Sequence, residues 1–246
     1  MTFEEIASVA AAGAIAVLPT GCTEQQGPHL PVDNDSWFAE TLAIQAADEV
    51  APDVMAVVLP ALPFGPTPEH RAFGSGFVDI PVPVYEQFVR AILDSLADQG
   101  FTRIVVWRGC GGHDLTTPVE AFNEDRHGTS RAFLPAQHFH AIWCALADPT
   151  VPGGHADSFT TSILMHRRPD AVRRDRIPEG ASGEPDGFDP ALDFSTYSST
   201  GVIGSAAHAS PELGEQLWHS SVAAVADVLR QIATDPDQIT PSTPCT

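Results

Sequence analysis

The chain has 246 residues and a formal net charge of −20, from 32 acidic residues against 12 basic residues, all of which are Arg. A surface this acidic repels phosphate backbones and anionic lipids, so neither nucleic acid nor a membrane is expected as a partner. No apolar run approaches the roughly 20 residues of a membrane span, and the first residues lack the segments of a signal peptide. We therefore expect a cytoplasmic protein, folded as one domain over residues 1–246.

The cysteines do not form a recognisable disulfide or zinc-finger pattern. Four are spread over the whole chain, at Cys22, Cys110, Cys144 and Cys245. Such spacing in a chain of this length predicts reduced thiols. We expect Cys22 and Cys144 to be small buried hydrophobic residues.

The first half of the chain predicts two helix and strand pairs. Thr2 and Glu5 form a capping-box pattern at the start of a helix. The predicted elements are a helix to residue 12, a buried strand over 14–18, a helix over 36–50 and a buried strand over 54–59. A loop rich in Gly and Pro follows, over 62–80.

The second half continues the alternation of helices and strands. Its predicted elements are a helix over 83–99 ending before Gly100, a strand over 103–107, a helix from 117, a strand near 132–134 and helices over 156–165 and 210–233. The alternation indicates a three-layer α/β/α fold with a mostly parallel sheet, whose sites form at the carboxyl ends of strands. The polar stretch 177–200 is predicted to be a lid or an oligomer arm, and 235–246 a frayed tail.

Several ordered segments resemble the creatininase family of metal-dependent amidohydrolases. Residues 24–35, Glu-Gln-Gln-Gly-Pro-His-Leu-Pro-Val-Asp-Asn-Asp, are similar to the family pattern E-Q-H-G-P-H-L-P-x-x-x-D. Similar segments follow at 59–65, Glu69-His70, 109–113, 155–162 and 201–204. The resemblance implies a creatininase-like fold, a small-molecule substrate and a homo-oligomer, often a hexamer.

The resemblance also implies a metal site, which this chain alters. In the family, two divalent ions share the signature Asp, and Glu24 and Asp35 are retained here. Cys110 replaces a histidine ligand of the first ion, and Gln26 replaces the histidine ligand of the second. Neither residue 112 nor residue 160 supplies the further carboxylate, so at most one ion is expected. Zinc is favoured over manganese or iron, and a metal-free site is the alternative.

The leading hypothesis is an amidohydrolase that acts on a C–N bond of a cyclic amide or related small metabolite, in specialised metabolism. Glu24, Asp35 and Cys110 would be the metal ligands, and His155 would transfer protons. The residues predicted to bind substrate are Gln26, His29, His70 and His113.

Three alternatives remain open at this point. Cys110 could be a nucleophile, with His113 or His155 as its base, in a metal-free cyclisation or acyl transfer. The chain could instead be a non-catalytic paralogue that binds a ligand or a partner enzyme. Finally, Glu24 could be a surface charge and Asp35 a helix cap.

Overall fold

The computed structural model describes residues 1–180 and 192–234. Its sheet has four parallel strands in the order β2-β1-β3-β4. The strands are β1 (Ile15–Thr20), β2 (Ala56–Val58), β3 (Arg103–Arg108) and β4 (Arg131–Phe133). The predicted mostly parallel α/β architecture is confirmed.

Helices connect the strands and cover both faces of the sheet. They are α1 (Phe3–Ala11), α2 (Asn34–Val50), α3 (Val82–Asp98), α4 (Thr116–Asp125), α5 (Phe139–Leu146), α6 (Ser158–Arg167) and α7 (Pro211–Thr234). Short 3₁₀ helices lie at Pro68–Phe73, Pro169–Ala171, Arg174–Arg176 and Phe194–Thr196. The capping box of Thr2 and Glu5 is present at the start of α1. Gly100 follows α3 with a positive φ of 97°, as a left-handed residue after a helix does.

Side chains of the two central strands alternate between two hydrophobic cores. Ile15 and Val17 of β1 enter the core shared with α2, α6 and α7. Ala16 and Leu18 enter the core shared with α3 and α4. Because successive strand residues point to opposite faces, an uninterrupted apolar strand indicates burial on both sides. This arrangement gives the predicted three layers.

The chain changes direction across the sheet between β1 and β3. After β1 it moves outward to β2, then crosses back to place β3 on the other side of β1. In open parallel sheets, ligands bind at the carboxyl ends of strands where this reversal occurs. The loops that follow Thr20 and Arg108 leave two neighbouring strands at that point, since these two residues are paired in register.

Some predicted boundaries differ from the structure. Helix α2 begins at Asn34, so Asp35 lies in its first turn. Helix α5 was not predicted, because it is short and buries only Trp143. The proposed lid or arm at 177–200 falls partly outside the described residues, and the tail 235–246 falls wholly outside them. Among the helices described, none has the length and apolar character that a membrane span needs.

Candidate active site

Three segments converge where β1 and β3 end. The loop after β1 carries Glu24, the first turn of α2 carries Asp35, and the loop after β3 carries Cys110. Glycine is required for this approach at two positions. A Cβ at Gly21 would lie 2.4 Å from the Ser36 Cα, and a Cβ at Gly109 would lie 2.5 Å from the Asp35 carbonyl oxygen. The two loops can therefore pack directly on the start of α2.

Two carboxylates lie buried at this convergence. Glu24 is 3% exposed and Asp35 is 7% exposed. Within residues 1–180 and 192–234, no arginine forms an ion pair with either of them. Burial raises the pKa of Glu24 to about 8. Burial, followed by the charge of Glu24, raises the pKa of Asp35 to about 8. The pair therefore lacks a cation, which a bound metal ion or protons must replace.

The side-chain amide of Gln26 joins the two carboxylates on one side. Its Nε2 donates to Glu24 Oε1 and to Asp35 Oδ1, each at 3.1 Å. The amide nitrogen must face both oxygens, because a carboxylate accepts hydrogen bonds and an amide oxygen would repel it. Asn34 Nδ2 also donates to Asp35 Oδ1, at 2.8 Å. This side of the site is thus filled by neutral donors.

Two thiols face the other oxygens of the same carboxylates. Cys22 Sγ lies 2.9 Å from Glu24 Oε2 and 3.0 Å from Asp35 Oδ2, and its single thiol proton can be donated to either oxygen. Cys110 Sγ lies 3.8 Å from Glu24 Oε2. One ligand atom from each of these four residues lies within 4.8 Å of the other three. Cys22 is buried as expected, but its surroundings are polar. Cys144 is exposed, so its predicted burial is wrong.

Gln25 fixes the tautomers of two histidines beside Glu24. Its backbone oxygen lies 2.7 Å from His155 Nε2, which must therefore carry a proton. Its side-chain Nε2 lies 3.0 Å from His70 Nδ1, and its Oε1 accepts from the Gly27 N–H, which sets the amide orientation. His70 Nδ1 therefore accepts, and the neutral His70 ring carries its proton on Nε2.

The two histidines consequently present different atoms to Glu24. His155 Nδ1, a lone pair, lies 3.4 Å from Glu24 Oε1. His70 Nε2, an N–H, lies 3.2 Å from Glu24 Oε2 but is poorly directed for a hydrogen bond. Burial lowers the pKa of His155 to about 3 and also lowers the pKa of His70. Both rings are therefore neutral near pH 7.

Phe194 closes the histidine side of the site. Its ring centroid lies 4.8 Å from that of His70 and 5.1 Å from that of His155, and both contacts are edge-to-face. Phe194 comes from the polar stretch 177–200, which the sequence predicts only as a lid or an oligomer arm. The burial of Phe194 against these two histidines is visible only in the folded chain.

The other two predicted histidines are buried at different places. His113 Nε2 lies 3.0 Å from the carbonyl oxygen of Pro66, and its ring packs against Tyr85. His29 Nε2 lies 2.8 Å from Thr161 Oγ1. Burial lowers the pKa of His29 to about 4. His113 lies near the two thiols, whereas His29 is held by α6.

The family resemblance implies two metal ions. The donor atoms present in this chain fit one of these ions and not the other. The first position fits, because Glu24, Asp35 and Cys110 offer two oxygens and a sulfur that lie within 4.8 Å of one another. The second does not fit, because Gln26 stands in place of its histidine ligand and directs an amide hydrogen at Asp35, the carboxylate that the two ions would share. Gly112 has no side chain, although Glu69 Oε1 would lie 3.6 Å from a Cβ there.

Known proteins with similar sequences include a peptidase and an amidohydrolase, which agrees with the fold and the site described above. A mycofactocin precursor peptide peptidase from Mycolicibacterium smegmatis is 30% identical over 228 residues, covering 90% of this chain and 86% of the relative. A creatinine amidohydrolase from Pseudomonas putida is 25% identical over 253 residues, covering 94% of this chain and 95% of the relative.

Solved creatininases share the fold. A manganese creatininase superposes with a TM-score of 0.82 at 21% identity, covering 94% of this chain and 96% of the other. A creatininase variant of the Zn-Zn type gives a TM-score of 0.81 at 22% identity, covering 94% and 95%. The molecule is thus an α/β protein with a creatininase-like fold. The family profile described as creatinine amidohydrolase matches residues 1–229, so the chain belongs to the creatininase family of amidohydrolases.

Proposed function

We propose that the chain hydrolyses an amide C–N bond at the site around Glu24, with one bound divalent metal. The observation that carries the proposal is the buried pair of Glu24 and Asp35, which forms no ion pair with an arginine in the part of the chain that the structure describes and faces a sulfur on one side. Glu24, Asp35 and Cys110 would hold the ion. When bound, a divalent ion of this kind polarises an amide carbonyl and acidifies a water molecule.

The surroundings of His155 support a role in moving the proton that amide hydrolysis requires. Its Nε2 hydrogen is held by the Gln25 carbonyl, which leaves the Nδ1 lone pair directed at the carboxylate side of the site. An ionised Glu24 at 3.4 Å would stabilise the protonated ring, so proton uptake at Nδ1 is coupled to the charge of Glu24. We propose that Nδ1 accepts a proton during attack on the carbonyl and returns it to the leaving amine.

The names of the relatives indicate only a broad class of substrate. The Mycolicibacterium relative is named for a peptide and the Pseudomonas relative for creatinine, a cyclic amide. Hydrolysis of a peptide or of a cyclic amide breaks the bond between a carbonyl carbon and an amide nitrogen. We propose a small cyclic amide or related metabolite as substrate, and the higher identity to the peptidase makes a short peptide the second candidate.

The test uses the full chain and a panel that contains creatinine, other cyclic amides and short peptides. The metal content is first measured by elemental analysis without added salts, and turnover is then assayed with and without zinc or manganese. We expect at least one amide to be hydrolysed, with loss of turnover in His155→Ala and no change in Cys144→Ser. A protein that carries no stoichiometric metal, and that neither ion activates toward any amide, would contradict the proposal.

A further inference from the structure

Cys22 is a chemistry-bearing residue that the family signature does not assign. It lies two residues before Glu24 and is fully buried. Its sulfur is nevertheless within 3.0 Å of a carboxylate oxygen of both Glu24 and Asp35. A buried structural cysteine normally packs among apolar atoms. The surroundings of Cys22 are those of a ligand atom.

A second sulfur approaches from the neighbouring strand. Cys110 comes from the loop after β3, whereas Cys22 comes from the loop after β1, and these strands are paired in register. The two sulfurs and the two carboxylates lie within 4.8 Å of one another. Four potential ligand atoms at such mutual distances can surround one metal ion.

His113 gives an independent indication on the sulfur side. One of its ring nitrogens lies within 4.8 Å of both sulfurs. Its Nε2 faces the Pro66 carbonyl at 3.0 Å and must carry the proton. Its Nδ1 is then a buried lone pair without a hydrogen-bond partner, in a residue that is 2% exposed. A buried, unpartnered lone pair on a ring that lies beside two thiols is a second indication that a cation belongs here.

We propose that Cys22 and Cys110 together bind the metal ion as a pair of thiolates, with Glu24 and Asp35 as the remaining protein ligands and a fifth position for water or substrate. This inference rests on the metal of the proposed function and specifies its ligands. Each thiol releases its proton to solvent as its sulfur–metal bond forms, so binding is coupled to proton release. Two thiolates favour zinc over manganese or magnesium, which prefer oxygen ligands.

Gln26 and Cys22 then have complementary effects on the same carboxylates. Gln26 occupies Glu24 Oε1 and Asp35 Oδ1, while Cys22 faces Oε2 and Oδ2. The ion is consequently directed to the sulfur side of the pair. The absence of a second metal position and the presence of two thiols at the first position thus depend on the same pair of carboxylates.

The test replaces zinc with cobalt(II) in the full chain, because cobalt bound to thiolates absorbs in the near ultraviolet through sulfur-to-metal charge transfer. We expect this band in the wild type. It should fall to about half in Cys22→Ser and in Cys110→Ser, since each variant removes one of two sulfur ligands. The matched control is Cys144→Ser, which removes an exposed thiol and should leave the band unchanged.

A second measurement needs no variant. X-ray absorption at the zinc edge of the wild-type protein should give two sulfur neighbours at about 2.3 Å. One sulfur neighbour, with a cobalt band that is unchanged in Cys22→Ser, would overturn the role of Cys22 and leave the metal of the proposed function in place. Failure to bind zinc or cobalt at all would overturn both.

Discussion

The two carboxylate oxygens of Glu24 have different surroundings. Oε1 faces the Gln26 amide and His155, whereas Oε2 faces Cys22 and His70. Oε1 therefore faces nitrogen alone, whereas Oε2 faces both sulfur and nitrogen. Residue 26 controls the Oε1 side, because one of its amide hydrogens points at Oδ1 of Asp35, the carboxylate that a second ion would share.

Restoring the family ligands should restore the second ion. We expect Gln26→His combined with Gly112→Glu to raise the metal content from one to two ions per chain, because the pair supplies an imidazole and a carboxylate beside Asp35. A Cβ at Gly112 meets only ordinary contacts, so the backbone there accepts the first atom of a side chain. Elemental analysis after zinc loading measures the result.

The single variant Gly112→Glu is the control for added charge. It retains the Gln26 amide and should still bind one ion. If the double variant also stayed at one ion, the bridging amide would not be what excludes the second.

The buried carboxylates should make the metal-free protein less stable as the pH rises. Burial raises the pKa of Glu24 from 4.5 and that of Asp35 from 3.8, each to about 8. Between these values the folded chain binds more protons than the unfolded chain. This stabilisation is complete below the unfolded pKa and is lost as the pH rises through the folded pKa. The free energy of unfolding should fall by on the order of 1–3 kcal/mol from pH 6.5 to 8.

The range from pH 6.5 to 8 separates the effect of the carboxylates on the free energy of unfolding from the effect of the histidines. His70 and His155 have lowered pKa values, so they destabilise the fold only as the pH falls below about 6.5. Urea denaturation in the presence of a chelator measures the change, and Glu24→Gln should reduce it. A wild-type stability that is flat or rising across this window would show that the pair is ionised without metal.

The sequence indicates part of this residue-scale chemistry. Glu24, Asp35 and Cys110 stand out because they occupy recognisable places in site loops. Cys22 does not, because a thiol after an apolar strand looks like one more buried hydrophobic residue. Its role depends on where the first turn of α2 places Asp35, and that distance is not encoded in local spacing.

At the scale of elements, the site depends on how closely two loops approach one helix. Helix and strand types follow from apolar patterning, and most predicted elements are present within a few residues. The order β2-β1-β3-β4 does not follow from patterning, since alternation alone does not say which strand ends are neighbours. Helix α5 was missed because eight residues with one buried side chain give no clear period.

Two glycines in the loop after β3 provide a matched test of this approach. A Cβ at Gly109 would contact the Asp35 carbonyl at 2.5 Å and Ala39 Cβ at 2.7 Å, whereas a Cβ at Gly111 would meet nothing within 4 Å. We expect Gly109→Ala to lower the free energy of unfolding by about 1–3 kcal/mol through overpacking. Gly111→Ala should change it little. Equal effects in thermal or urea denaturation would show that backbone flexibility, and not close packing, matters in this loop.

At the scale of the whole molecule, the site lies between the two hydrophobic cores. It joins the ends of β1 and β3, which contribute side chains to both cores, with α2, which packs against α7. An ion bound there contacts segments that come together only in the folded chain. Metal binding should therefore stabilise the fold as a unit and not only its loops.

Metal removal should lower the melting temperature accordingly. A ligand at 100 times its dissociation constant stabilises the folded state by about 2.7 kcal/mol, which corresponds to roughly 5–10 °C for a chain of this size. Calorimetry with zinc and then with excess chelator measures the shift. The shift should be much smaller in Cys110→Ser. A chelator that leaves the melting temperature of the wild type unchanged would contradict the prediction.

The expected homo-oligomer remains a prediction of the family resemblance. Sedimentation velocity on the full chain measures it directly. We expect a species of several copies, and a concentration-independent monomer would contradict this expectation.

The hydrogen bonds of Gln26 also bear on how this site could change over generations. Codons for glutamine and histidine share their first two bases, so one base substitution exchanges the bridging amide for an imidazole. Some glycine codons reach glutamate by one substitution as well. A chain that binds one ion could thus differ from a chain that binds two by as few as two nucleotide changes, one in the codon of residue 26 and one in the codon of residue 112.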